Sequence, residues 1–76
     1  MITVYYNKYG NERSELNLEF NGKTTEGHYK LDSYNGWQFI LTKDKRYITN
    51  HNDETFEVDH ILDPFRQLVK VQSERG

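Results

Sequence analysis

The side chains able to do chemistry are few and lie mostly in the second half of the chain. Asp59 and His60 are adjacent in a β-prone run, and His51, Asp53 and Glu54 share one polar segment. His28 is the third histidine. An Asp-His pair can hold a metal and activate water, and a His/Asp/Glu group can ligate a hard or borderline cation. His51-Asn52-Asp53-Glu54 has neither the glycine nor the ligand periodicity of a calcium loop, and its spacing from His28 and Asp59 fits no named site. Cysteine is absent, which removes thiolate ligands, thiol nucleophiles and disulfides together. Nucleophilic chemistry would fall to Ser14, Ser33 or Ser73, each in turn, strand-start or tail context without a nucleophile elbow. The glycines are dispersed at hairpin positions rather than gathered into a phosphate loop.

Val58-Asp59-His60-Ile61-Leu62-Asp63-Pro64 resembles the first strand of the ββα-metal motif of HNH endonucleases. The resemblance implies Asp59 as a metal ligand and His60 as the base that activates water for phosphodiester hydrolysis. That family also needs an asparagine and a second histidine or asparagine on the following helix, and residues 61–76 contain neither type. The alternative is a sheet histidine beside surface acids. The expectation is a chain that is not an enzyme and holds no metal or other cofactor.

Aromatic and basic residues are interleaved: Tyr5, Tyr6, Lys8 and Tyr9, then Tyr29, Lys30, Tyr34 and Trp37, then Lys43, Lys45, Arg46 and Tyr47. Tyrosine, tryptophan and arginine are over-represented at interface hot spots, and Asn, Ser and Gly supply adaptable loops. On this reading Tyr5, Tyr9, Tyr34, Lys43, Lys45, Arg46 and Tyr47 form a binding surface, with a protein partner first and single-stranded nucleic acid as the alternative. The net charge of −2, with signs interspersed, suits the protein reading and excludes the strong basic excess of a duplex-DNA binder. Unpaired edges at Ile2–Tyr6 or Leu68–Val71 would also allow strand addition or a homodimer. Abundant Asn, Lys and Tyr in so short a chain suit a regulatory accessory protein of a phage or mobile element.

These residues must be positioned by a thin core, because 34% of 76 residues are apolar. The sequence predicts a mainly β domain over 1–72 with a frayed tail over 73–76: a small antiparallel sheet or an SH3/Sm-like barrel of about five to seven short strands. Ile2–Tyr6 is a β-branched and aromatic strand, followed by a Gly10-Asn11 turn and the alternating Leu16, Leu18 and Phe20. Asn21-Gly22 predicts a tight hairpin, with the next strand over Thr25–Leu31. Asn35-Gly36 and Lys43-Asp44-Lys45 are further turns, flanking a strand with Trp37, Phe39 and Leu41 on one face and Ile40 on the other. Arg46–Thr49 makes a short return strand and 50–54 an exposed loop. Phe56, Val58 and His60 then alternate with Glu57, Asp59 and Ile61. Trp37, Phe20, Phe39 and Phe56 are expected in the core with some tyrosines. After Asp63-Pro64 the valines favour a final strand over Leu68–Val71, with a short helix opened by Pro64 as the alternative. No secretory or membrane-spanning pattern is present, so the cytoplasm is the default expectation.

Overall fold

Alternate burial along the first strand sets the architecture: Ile2, Val4 and Tyr6 are buried, while Thr3, Tyr5 and Asn7 face outward. The computed structural model describes residues 1–10 and 12–68. Among them the chain forms β1 (Ile2–Asn7), β2 (Arg13–Lys23), β3 (Tyr29–Ser33), β4 (Gln38–Leu41), β5 (Tyr47–Thr49) and β6 (Thr55–Leu62). Each strand pairs antiparallel with its neighbour in sequence, and β6 pairs with β1 to close a six-stranded barrel. Closure leaves no free edge along β1, where the sequence allowed one.

The core is the inward face of that meander. Leu18, Leu31, Phe39, Leu41 and Ile48 join the buried residues of β1, and Leu16, Phe20, Phe56, Val58 and Ile61 pack against them partly buried. Tyr29 is buried and lies under two ammonium groups, Lys23 at 5.3 Å and Lys45 at 5.9 Å from its ring centre. Ile40, on the opposite face of β4 from Phe39 and Leu41, is half-buried on the outside of the barrel between Lys30 and Thr49.

Five chain reversals share one local design. Thr24, Ser33, Thr42, Asn50 and Asp63 each open a turn in which their carbonyl accepts the amide of the residue three further on, at 2.7–3.0 Å. That third residue is left-handed in every case: Gly27, Gly36, Lys45, Asp53 and Arg66 have φ of 95, 85, 63, 66 and 53°. The side-chain oxygen of the opening residue then accepts the next amide, from His28, Trp37, Arg46, Glu54 and Gln67 respectively. A short hydroxyl, amide or carboxylate is needed at the first position, because only those side chains reach the backbone four residues on.

This design displaces the predicted Asn21-Gly22 hairpin. The β2–β3 turn is Thr24–Gly27, and Asn21-Gly22 lies inside β2, where the register against β3 slips between Phe20 and Lys23. Gly22, at φ 96°, is the extra residue of a bulge. The predicted strand start at Thr25 moves to Tyr29 for the same reason. A second slip, between Tyr5 and Tyr6 on β1, places two residues of β6 where one is expected. The alternation Phe56, Val58, His60 is broken there: His60 turns outward and Ile61 inward. Trp37 keeps the parity of Phe39 but precedes the first residue of β4, so it stands at the rim, 50% exposed, rather than in the core.

After β6 the chain turns over Asp63–Arg66. Leu68 follows with helical backbone in place of the favoured strand, and the Asp63 carboxylate accepts from the amides of Gln67 and Leu68 at 2.9 Å. Leu68 is 1% exposed and belongs to the core, sealing the end of the barrel where β6 leaves it. Asn11, Val69–Val71 and the expected tail over 73–76 lie outside the described residues. Among the described residues no helix is long and apolar enough to cross a membrane.

The left-handed positions generate a stability prediction. Lys45→Gly relieves a Cβ penalty and is expected to stabilise the protein by up to about 1 kcal/mol, net of the added unfolded-state freedom. Gly36→Ala, with open space around its Cβ position but φ of 85°, is expected to destabilise by about 1–2 kcal/mol. Urea unfolding of both variants checks the pair, and equal midpoints would refute the turn analysis.

Candidate functional site

Because the barrel is a meander, its connections alternate between two ends. The loops 8–12, 34–37 and 50–54 open at one end; 24–28, 42–46 and residues 63–68 lie at the other. Leu68 seals the second end, whereas the first holds a cavity of about 290 Å³. Its walls are inward side chains of the strands: Tyr6, Leu16, Phe39, Ile48 and Phe56. Tyr6 and Phe56 pack with ring centres 5.2 Å apart at 43°. Tyr6, Phe39, Ile48 and Phe56 each occupy the last inward position of their strand at this end, and beyond Leu16 only the small Ser14 shares the inward face, so little further side-chain volume packs above them.

The rim comes from the three loops. Lys8 and Tyr9 project from the β1–β2 loop, Ser33, Asn35 and Trp37 from the β3–β4 turn, and Asn50, His51 and Glu54 from the β5–β6 turn. The Trp37 and His51 rings lie 4.5 Å apart at 33°, joining two of those loops across the opening. The Lys8 ammonium sits 5.5 Å from the centre of the Tyr9 ring. Asn50 Nδ2 donates to Glu54 Oε1 at 2.8 Å, fixing the carboxylate on the rim. Charge is uneven: the loops of this end carry Lys8 against Glu12, Asp53 and Glu54, while the 42–46 turn carries Lys43, Lys45 and Arg46 against Asp44.

The residues singled out from sequence are distributed over the whole barrel. Tyr9, 66% exposed, is at the mouth, and Tyr34 is exposed at the tip of the neighbouring β3–β4 turn. Tyr5 and Tyr47 lie on the outer flank, and Lys43, Lys45 and Arg46 occupy the opposite end. The mouth therefore brings Tyr9 together with Trp37, His51 and Glu54, which were not among the residues expected to form the binding surface. The available signal was position: Trp37 follows the Asn35-Gly36 turn directly, before its strand begins.

The Asp59-His60 pair is placed by the β6 bulge on the outer wall. An Asp59 carboxylate oxygen lies 3.2 Å from Arg13 Nη2, and the Arg13 guanidinium sits 5.0 Å from the Tyr5 ring centre. His60 stacks on Tyr5 at 6.1 Å and 21°. These four side chains form a cross-strand ladder over β2, β1 and β6. His51 and Glu54 are at the mouth and His28 is at the other end, where its Nδ1 accepts the Lys43 amide at 3.1 Å. Among the described residues no three His, Asp or Glu side chains gather closely enough to hold a metal ion.

The basic turn is also held by a carboxylate. Asp44 Oδ1 accepts from Thr42 Oγ1 at 2.7 Å and from the Arg46 amide at 3.1 Å. The Thr42 hydroxyl first, and the Arg46 amide second, hold the Asp44 carboxyl below its ordinary value of 3.8. A lowered folded-state value stabilises the fold above that pH and ceases to do so as pH falls through it. The stability gap between this protein and its Asp44→Asn variant is thus expected to be constant at neutral pH and to narrow below 3.8. Urea unfolding across an acid pH series measures it, and a gap independent of pH would contradict the assignment.

Comparison with protein-family models, with curated proteins and with solved structures returns no match for this chain.

Proposed function

We propose that this chain is a small non-enzymatic binding domain that docks a protein partner with the aromatic end of its barrel. The observation that carries the reading is the cavity mouth itself: exposed Tyr9 and Trp37 flank an apolar opening, and exposed Tyr34 lies on the same turn as Trp37. Rings around a desolvatable pocket are the arrangement in which a few contacts supply most of the binding free energy. Regulation of the partner then follows from occupancy, since binding covers a surface on it.

The single-stranded nucleic-acid reading draws on Arg46 and Tyr47, which are adjacent and exposed. Its difficulty is geometric. Stacking platforms work when cations track the phosphates beside the rings, yet Lys43, Lys45 and Arg46 are at the opposite end from Tyr9 and Trp37.

Two variant sets separate the readings in affinity capture from host lysate, with and without nuclease treatment. Trp37→Ala and Tyr9→Ala are expected to weaken capture of a nuclease-resistant protein partner by at least roughly tenfold, the scale of a hot-spot truncation. Lys43→Ala and Arg46→Ala should leave it nearly unchanged. Capture that is lost with nuclease, falls steeply with salt and depends on Lys43 and Arg46 would replace the protein reading with the nucleic-acid one.

A further inference from the structure

Resting on the docking reading, the geometry points to the chemistry of what enters the mouth: we infer that it takes the cationic side chain of an arginine in a basic segment of the partner. Three observations converge. The opening is lined by aromatic side chains, with Tyr6, Phe39 and Phe56 in the wall and Tyr9 and Trp37 on the rim. Ring faces attract cations, most strongly where water is excluded, and a flat guanidinium also stacks on an indole. The surface already shows this chemistry, because the chain's own Lys8 places its ammonium over Tyr9.

The second observation is charge. Glu12, Asp53 and Glu54 outnumber Lys8 on the loops of this end, so a cation is drawn in and an anion is opposed. The third is the placement of acceptors. Glu54 is fixed on the rim by Asn50, and Asn35 lines the same opening. A guanidinium has five donors on its edge while its faces are apolar. Rings across the mouth and polar acceptors at its rim match both surfaces. An uncharged aliphatic side chain would use the rings and leave the rim acceptors unpaired.

The test uses the 76-residue chain and small probes, with fluorescence of Trp37, the chain's sole tryptophan, and amide chemical shifts as readouts. N-acetyl-L-arginine amide is compared with N-acetyl-L-citrulline amide, which has nearly the same shape and no charge. Arginine is expected to perturb Trp37 and the 8–12, 34–37 and 50–54 loops saturably, and to bind at least roughly threefold more tightly than citrulline. Glu54→Gln should reduce that preference and Lys8→Ala should raise it, since one removes the rim carboxylate and the other a competing cation. Equal binding of the two probes, or shifts centred elsewhere than the mouth, overturns the inference.

The docking reading fails separately. It falls if Trp37→Ala leaves partner capture intact. If Trp37→Ala abolishes capture while arginine shows no advantage over citrulline, docking stands and the cationic occupant is refuted.

Discussion

The fold depends on one recurrent hydrogen bond, from a backbone amide to a side-chain oxygen four residues earlier. Thr24, Ser33, Thr42, Asn50 and Asp63 each supply that oxygen, and each is followed at the third position by a left-handed residue. Such a turn adds rotation between strands with the hand that a twisted antiparallel pair requires. It also pairs the first amide after the reversal, which β strands of three to five residues have few other means to satisfy. With a third of the residues apolar, the core alone offers little surplus over chain entropy. Local fixing of the reversals lessens the conformational freedom left for tertiary packing to restrain.

Closure imposes a second constraint, visible in the two bulges. β2 runs well past the end of β1, and it does so by bending at Asn21-Gly22. β6 must lie against β1 while its far end still contributes Ile61 to the core, and the extra residue at Asp59-His60 makes both possible. The exposure of that pair is therefore a consequence of closing the barrel. Arg13 and Tyr5 then use it, one as an ion-pair partner and the other as a stacking surface.

These constraints explain what was legible in the sequence. Strict alternation marked the inward faces of β1, β2 and β4, because Ile2/Val4/Tyr6, Leu16/Leu18 and Phe39/Leu41 obey a period of two with no inserted residue of their own strand between them. Asn21-Gly22 carries the stronger two-residue turn signal, yet Thr24-Thr25-Glu26-Gly27 matches the capped design of its neighbours and takes the turn. The capped pattern is legible in the sequence as a Thr, Ser, Asn or Asp three residues before the left-handed position of each of these reversals. The end of the chain was open between strand and helix because valine propensity favours one and the Asp63 cap the other, and the cap prevails at Gln67 and Leu68. The candidate site was harder to see for a topological reason. Tyr9, Trp37 and His51 are far apart in sequence and meet because alternate loops of a meander share an end, while Lys45 and Tyr47, close to Trp37 in sequence, are carried away from it.

The asymmetry of the two ends is what gives the molecule a face. A closed barrel this narrow fills its middle with Val4, Leu31 and Leu41, but the last inward residue of each strand has a packing partner on one side alone. At the end where β6 leaves, the chain turns back through Asp63 and buries Leu68 in the core, and the Lys23 and Lys45 ammonium groups lie over Tyr29. No described segment does the same at the other end, where the tips of three loops surround Tyr6, Phe39 and Phe56. Apolar surface left open there forfeits about 25 cal/mol for each Å² that could have been covered. A fold already short of core would gain stability by closing that end with one more inward turn. That it ends instead in a ring of Tyr9, Trp37 and His51 is the physical ground on which the docking proposal rests.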